Sequence, residues 1–347
     1  MNRSDPSSTN PDATGPANLA SAIPAAAIEL AATRIEGQAI RTPLIISEPL
    51  SERTGATIVI KAEHRQRTGS FKIRGALNKT FSLTDDLAAS GVITASSGNH
   101  GIGVATAAAS RKIPCTVYLP SGAAPPKVAA IKRLGATVVT VDDTDTALAE
   151  SEARVASADR GIRYISPYND PDIVAGQGTI GLEILADAAG IGLGSVDAVI
   201  AAVGGGGLIS GIASWVKQHS PDTVVVGASP ENDQAMAASV AAGRIFEPPA
   251  TATYSDGTAG AVEADAITFP ICSNLVDRWI AISEIDIARA VSDMINDHHE
   301  LIEGAAGVAL AAAHRYGVEH PGANIVVVSC GANISPAALR RMLNEDL

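Results

Sequence analysis

Apolar residues along this chain fall into two arrangements: short runs rich in Val, Ile and Ala, and longer Ala-rich stretches with helical spacing. Pro24–Gln38 carries Ile28, Leu30, Ala31 and Ile35 at spacings that predict one apolar side of a helix. Leu44–Ile46 and Thr57–Lys61 read as short strands, and a helix follows Ser70 with Phe71, Ala76 and Leu77 facing inward. From Gly91, strands at Val92–Ala95, Thr116–Leu119, Thr137–Val141 and Arg163–Ile165 alternate with helices at Gly101–Ser110, Pro126–Leu134 and Asp145–Ala156. A second alternation begins near Gly176, with a helix through Ile180–Ala189, the strand Ala198–Val203, a helix over Leu208–Lys217 and the strand Thr223–Ala228. Helices at Glu284–His298 and Gly304–His314 and the strand Asn324–Ser329 complete it. His298 and His299 fall on a solvated helix end and receive no role.

Strand–helix alternation with short turns predicts right-handed crossovers and parallel sheets covered on both faces. The expected fold class is α/β with two domains, each an open, mostly parallel twisted sheet flanked by helices. Residues 91–165 form the small domain, and residues 21–90 with 166–347 the large one. Residues 1–20, rich in Ser, Pro, Asn, Thr and Ala, read as a disordered tail. A site is expected in the cleft between the domains, at the carboxyl ends of the strands.

Composition narrows the function. With 46% hydrophobic but only 3% aromatic residues, the cores must be built from Ala, Val, Ile and Leu. A net charge of −12 argues against a nucleic-acid surface and against anionic membranes, yet leaves room for one small anion held by backbone N–H groups. Cys115, Cys272 and Cys330 are far apart, which argues against a disulfide framework or a zinc site and fits a cytoplasmic protein. The uncharged stretch Ala198–Val216 is interrupted by four glycines and makes a poor membrane span.

Four segments carry candidate chemistry. A lysine at a helix start is by default a surface charge, but Lys72 stands among Phe71, Ile73, Gly69 and Gly75. Apolar neighbours favour the neutral amine, the form that makes a Schiff base or takes a proton. Ser96-Ser97-Gly98-Asn99-His100-Gly101 links a strand to a helix and groups short hydroxyls with backbone donors, a carboxylate cradle beyond the needs of one N-cap. Gly204, Gly205, Gly206 and Gly207 join an apolar strand to a helix and suit a phosphate at the helix start. The spaced glycines of a dinucleotide loop and the lysine of a nucleoside-triphosphate loop are both missing. Cys330 ends the last strand, where a thiol serves equally as a weak partner for a pyridine-type nitrogen or as a small buried apolar group. Glu303, before Gly304-Ala305-Ala306-Gly307, reads as a helix-start charge.

In order along the chain, Thr68–Ala76, Ser96–Gly101, Ala175-Gly176-Gln177-Gly178-Thr179, the run 204–207 and Cys330-Gly331-Ala332-Asn333 resemble the threonine/serine dehydratase and serine racemase family. These are pyridoxal phosphate enzymes of the tryptophan synthase β-like fold type II. The resemblance runs from about Ile28 to the C-terminus, and five motifs in one order make it specific. It implies pyridoxal 5'-phosphate held covalently by Lys72, which also serves as catalytic base, with Phe71 near the ring and Asn99 on its phenolic oxygen. Gly204 to Gly207 would hold the phosphate, Cys330 would meet the ring nitrogen, and Ser96, Ser97, Asn99 and His100 would surround the substrate carboxylate. The implied reaction removes water and then ammonia from a small β-hydroxy amino acid such as L-threonine or L-serine, with the cofactor phosphate assisting departure of the hydroxyl. A homodimer and a small amino-acid substrate follow, with no nucleic-acid or membrane partner.

Three departures shape the alternatives. Ser97 stands where dehydratases of the family commonly have alanine, and racemases use a serine there to return a proton, so serine racemisation with side dehydration is the second reading. Leu148 lies near where racemase-type members carry an arginine, which weakens the case for an acidic substrate such as hydroxyaspartate. Ser229 replaces a metal-binding glutamate, and Glu231 and Asp233 are out of register with it, so no metal is assigned. The short stretch after Cys330 leaves no expected C-terminal regulatory domain. A specialised dehydratase, for instance in hydroxyectoine breakdown, and a non-catalytic amino-acid-binding protein on the same scaffold complete the alternatives.

Overall fold

The computed structural model describes residues 18–142 and 146–345, with the side chain of Thr146 excepted. Its strands are β1 (Leu44–Ile46), β2 (Thr57–Lys61), β3 (Val92–Ala95), β4 (Cys115–Pro120), β5 (Thr137–Val141), β6 (Arg163–Tyr164), β7 (Ala198–Ala202), β8 (Val224–Pro230), β9 (Arg278–Ile282) and β10 (Asn324–Val328). They form two sheets, one ordered β5-β4-β3-β6 and one ordered β1-β2-β10-β7-β8-β9. Every pairing is parallel except β1 with β2. The α/β class with two mostly parallel sheets flanked by helices is therefore present.

The first helices are α1 (Ala25–Ile35), α2 (Glu48–Thr54), α3 (Lys72–Ser82), α4 (Asp85–Ala89), α5 (Asn99–Arg111), α6 (Pro125–Arg133) and α7 (Thr146–Arg160). There follow α8 (Pro171–Asp187), α9 (Gly207–His219), α10 (Ala235–Ala242), α11 (Thr268–Leu275), α12 (Glu284–His298), α13 (Gly304–Glu319) and α14 (Pro336–Leu343). All five residues of β7 are buried, as a central parallel strand covered on both faces requires. The apolar cluster of the four-stranded sheet takes in Ile73, Ala76 and Leu77 of α3 together with Val92, Val117 and Ile131. Lys72 thus heads a helix packed on one sheet while its backbone is tied to the other.

Close helix packing explains one motif. A β-carbon on Gly176 would lie 2.6 Å from Gly75 Cα, and one on Gly211 would lie 2.5 Å from Gly178 N. These glycines let α3, α8 and α9 touch through their backbones. The Ala175–Thr179 segment is internal to α8, which starts earlier than the periodicity predicts. Asp170 accepts from the N–H groups of Asp172 and Ile173, and Pro171 occupies the first turn.

Beneath Lys72 lies a buried ionic network. Arg74 donates to both oxygens of Glu63 at 2.8 Å and to Glu183 at 2.7 and 2.8 Å. Lys61 reaches the same Glu183 at 2.5 Å and the Thr42 carbonyl at 2.6 Å. Burial opposes the charge on Glu63, but the Arg74 guanidinium holds its carboxyl below the usual range.

Other expectations change. Leu30 is 49% exposed, because Ile28, Ala31 and Ile35 alone occupy the buried face of α1. Strand β9 and helices α2, α4, α10, α11 and α14 lie where no element was predicted. His298 is half-buried and shares a 2.8 Å hydrogen bond with Ser47 Oγ, so it joins α12 to the start of α2 instead of standing in solvent. Residues 1–17 and Asp145 lie outside the described residues, while Leu19 and Ala20 of the expected tail form a 3-10 turn with Ser21, whose hydroxyl donates to the Pro270 carbonyl.

Candidate active site

Short backbone contacts place Lys72. The Phe71 N–H donates to the Cys330 carbonyl at 3.0 Å, Ser70 bridges to Gly331, and Ala332 N–H donates to the Gly69 carbonyl at 2.8 Å. Gly69 makes the turn at φ +73°, a conformation open to glycine. The segment before α3 is thereby registered on the segment after β10. Lys72 Nζ donates to the Pro167 carbonyl at 3.1 Å, beyond β6. Burial lowers its pKa to about 8, against the opposing pull of Cys330 and Glu303.

The next residue in that segment, Tyr168, leads to the glycine run. Its ring covers Gly205 and its Cβ and backbone cover Gly207, while the Thr258 backbone covers Gly204: a β-carbon on Gly204 would stand 2.6 Å from the Thr258 oxygen. Thr268 Oγ1 takes the Gly205 carbonyl at 2.7 Å. Among the described residues the N–H groups of Gly204, Gly205 and Gly206 have no acceptor, and Gly206, at φ +83°, caps the 13-residue α9. Unengaged main-chain donors at a helix start, walled by side chains that admit no β-carbon, suit a phosphate.

Asn99 opens α5 and meets Glu303 and Asn333. Its Nδ2 donates to Glu303 Oε1 and Oε2 at 2.8 and 3.1 Å, and its Oδ1 accepts from Asn333 Nδ2 at 2.6 Å. Glu303 is 3% exposed, and burial raises its pKa to about 7 while Asn99 opposes the rise. It is no surface charge at the head of α13.

The remaining expected residues divide. Ser96 Oγ accepts from the Gly98 N–H at 3.2 Å and shapes the loop. The half-buried Ser97 hydroxyl has no partner among the described residues. His100 is 4% exposed and its Nε2 meets the Ile165 carbonyl at 3.0 Å, which ties the head of α5 to the residue after β6. Burial, reinforced by Lys72, lowers its pKa to about 3. Burial pushes the Cys330 thiol well above the ordinary range. Ser229 donates to the Val203 carbonyl and Asp233 accepts from Gly260 N–H, and no group of three or more His, Cys, Asp or Glu suited to a metal occurs among the described residues.

Sequence reasoning missed Tyr168 and the buried state of Glu303. A signal for the second exists: Gly257, Gly304 and Gly331 converge on this region, and a β-carbon on Gly331 would stand 2.4 Å from Glu303 Oε1.

A buried lysine heading a helix, its amine on the Pro167 carbonyl and the neighbouring Tyr168 ring over a bare-glycine anion cradle, suits an enzyme that carries an aldehyde cofactor with a phosphate tail. The chain belongs to the pyridoxal-phosphate dependent enzyme family, whose model matches residues 35–331. It is 38% identical to an L-threonine ammonia-lyase of Thermotoga maritima over 88% of this chain and 75% of that one. It is 40% identical to the catabolic L-threonine dehydratase of Escherichia coli K12 over 81% and 84%. Among solved structures, maize serine racemase superposes with a TM-score of 0.85 at 31% identity, covering 92% of this chain and 96% of that one. A processed threonine deaminase isoform of Solanum lycopersicum gives the same TM-score at 33% identity, covering 92% and 88%. The enzyme uses pyridoxal phosphate. No described helix is long and apolar enough to cross a membrane.

Proposed function

We propose that this chain is an ammonia-lyase that converts L-threonine or L-serine to a 2-oxo acid and ammonia. The observation that carries the reading is the buried, easily neutralised amine of Lys72 beside the unengaged amides of Gly204 to Gly206. Identity of 38 to 40% with two threonine ammonia-lyases supports the substrate class.

Pyridoxal phosphate, held by Lys72 until the substrate's amine takes that place, would supply an electron sink that acidifies the α-proton. The chain's residues do the rest. Gly204 to Gly207 would hold the phosphate with main-chain donors, Phe71 would pack near the ring, Asn99 would donate to its phenolic oxygen, and the neutral Cys330 thiol would meet its nitrogen. Ser96, Ser97 and Asn99 receive the substrate carboxylate on the loop at the head of α5, and His100 fixes that loop from behind. Lys72 Nζ, once freed as an amine whose pKa burial lowers to about 8, would accept the α-proton. Loss of the β-hydroxyl as water, followed by hydrolysis of the carbon–nitrogen bond, yields the products.

Ser97 favours a second activity, racemisation of serine, because its unpartnered hydroxyl stands on the same loop. We also take residues 91–165 as a small unit moving against 21–90 and 166–347, since the four-stranded sheet lies wholly within it. The working form is a homodimer, with the exposed Ile40 and Ile46 at the β1 edge offering an apolar face. A cytoplasmic setting agrees with three free, buried cysteines.

Purified enzyme with added cofactor, offered a panel of β-hydroxy amino acids, should release ammonia and 2-oxo acid in equal amounts, fastest from L-threonine or L-serine. Inversion of serine outrunning pyruvate formation would replace the lyase with the racemase. Absence of both reactions across the panel would leave only the binding scaffold.

A further inference from the structure

Glu303 is an unusual place for a carboxylate. It precedes α13 but makes no side-chain cap there, and it is walled in with Gly331 against Oε1 and Gly257 nearby. Burying such a group carries a large desolvation cost unless hydrogen bonds offset it. Its partners are Asn99 Nδ2 and the Asn333 N–H, the latter at 3.1 Å.

The amide directions in this trio are determined by donor and acceptor count. Asn333 Nδ2 donates to the Thr68 carbonyl at 2.8 Å, and a carbonyl can only accept. Its other proton goes to Asn99 Oδ1 at 2.6 Å. Asn99 must then turn its NH₂ to Glu303. The two oxygens of one carboxylate lie too close together to take both protons of an amide, splayed about 120° apart, so one proton is shared between them. The second Nδ2 proton has no acceptor among the described residues.

We propose that Glu303, with Asn333, is a positioning residue of the cofactor site that locks the Asn99 amide so that its second Nδ2 proton is reserved for the cofactor's phenolic oxygen. The inference rests on the pyridoxal phosphate reading of the site. Glu303 need not touch substrate or cofactor; it acts through Asn99.

The test compares wild type with Glu303→Gln, Glu303→Ala, Asn99→Ala and the double variant Glu303→Ala/Asn99→Ala. For each full chain, stripped of cofactor and shown folded by thermal melting, the Kd for pyridoxal 5'-phosphate and the visible absorbance band of the reloaded protein are measured. Glu303→Ala should weaken binding roughly tenfold and move the band, as loss of an orienting charged hydrogen bond predicts. Glu303→Gln, which keeps one acceptor, should fall between it and wild type. In the Asn99→Ala background, removal of Glu303 should add less than about twofold, because the two act as one unit. Additive losses, or a Glu303→Ala protein that binds and absorbs like wild type, overturn the proposal alone. A wild type that takes up no cofactor overturns the proposal together with the reading beneath it.

Discussion

The ring of Tyr168 lies so near Gly205 that a β-carbon on the glycine would stand 2.4 Å from Cδ1 and 2.6 Å from Cγ. Contact with Cγ, at the root of the ring, leaves little room to yield. Gly205→Ala should therefore force Tyr168 out of place and weaken pyridoxal 5'-phosphate binding at least tenfold, in line with about 1–3 kcal/mol for overpacking. Tyr168→Ala in the same chain should recover part of the loss. Fluorescence titration of the cofactor-free protein checks both.

Removing Arg74 takes the guanidinium from two carboxylates. Arg74→Met leaves the fully buried Glu63 without its ion-pair partner and Glu183 with Lys61 alone, and should destabilise the protein by about 3–5 kcal/mol. Lysine should restore little, because it lacks the planar fork that serves both carboxylates. Urea unfolding of the three proteins measures the difference.

Lys72 sets the pH dependence of cofactor uptake. Burial brings its pKa down to about 8, so the neutral amine is scarce at pH 6 and dominant above pH 8. Uptake of pyridoxal 5'-phosphate by the stripped enzyme should accelerate as pH rises from 6 to 8 and level off above. Stopped-flow absorbance would show it, and borohydride reduction should fix no cofactor on Lys72→Ala at any pH.

Glu303 leaves a signature on stability. Its folded pKa of about 7 lies above the ordinary 4.5, so the folded state favours the protonated group. The stabilising contribution is complete below pH 4.5 and is lost as pH climbs through 7. Cofactor-free wild type should lose melting temperature across that window relative to Glu303→Gln, in which no carboxyl titrates at this site. Parallel melting curves would refute the assignment.

Much of this was legible in the chain. Val92–Ala95, Thr137–Val141 and Glu284–His298 were bounded by sequence alone, because apolar periodicity ran uninterrupted between turn residues. Lys72 and the glycine run stood out for their neighbours. Strand β9 did not, since Arg278-Trp279-Ile280-Ala281-Ile282 is partly exposed and has a charged start. The hydrogen bond of His100 to the Ile165 carbonyl was not legible either, because its partner is 65 residues away along the chain. Tyr168 could not be found at all, because the glycines it covers are more than thirty residues away along the chain.

The donors that the anion cradle offers at the head of α9 are main-chain N–H groups, which neither gain nor lose a proton. Grip on the phosphate should then be indifferent to the protein's own titration and follow only the ligand's ionisation. Attraction to that doubly charged tail and the reactivity of the lysine are thus governed by separate groups, so acidification should slow the anchoring bond well before it releases the tail.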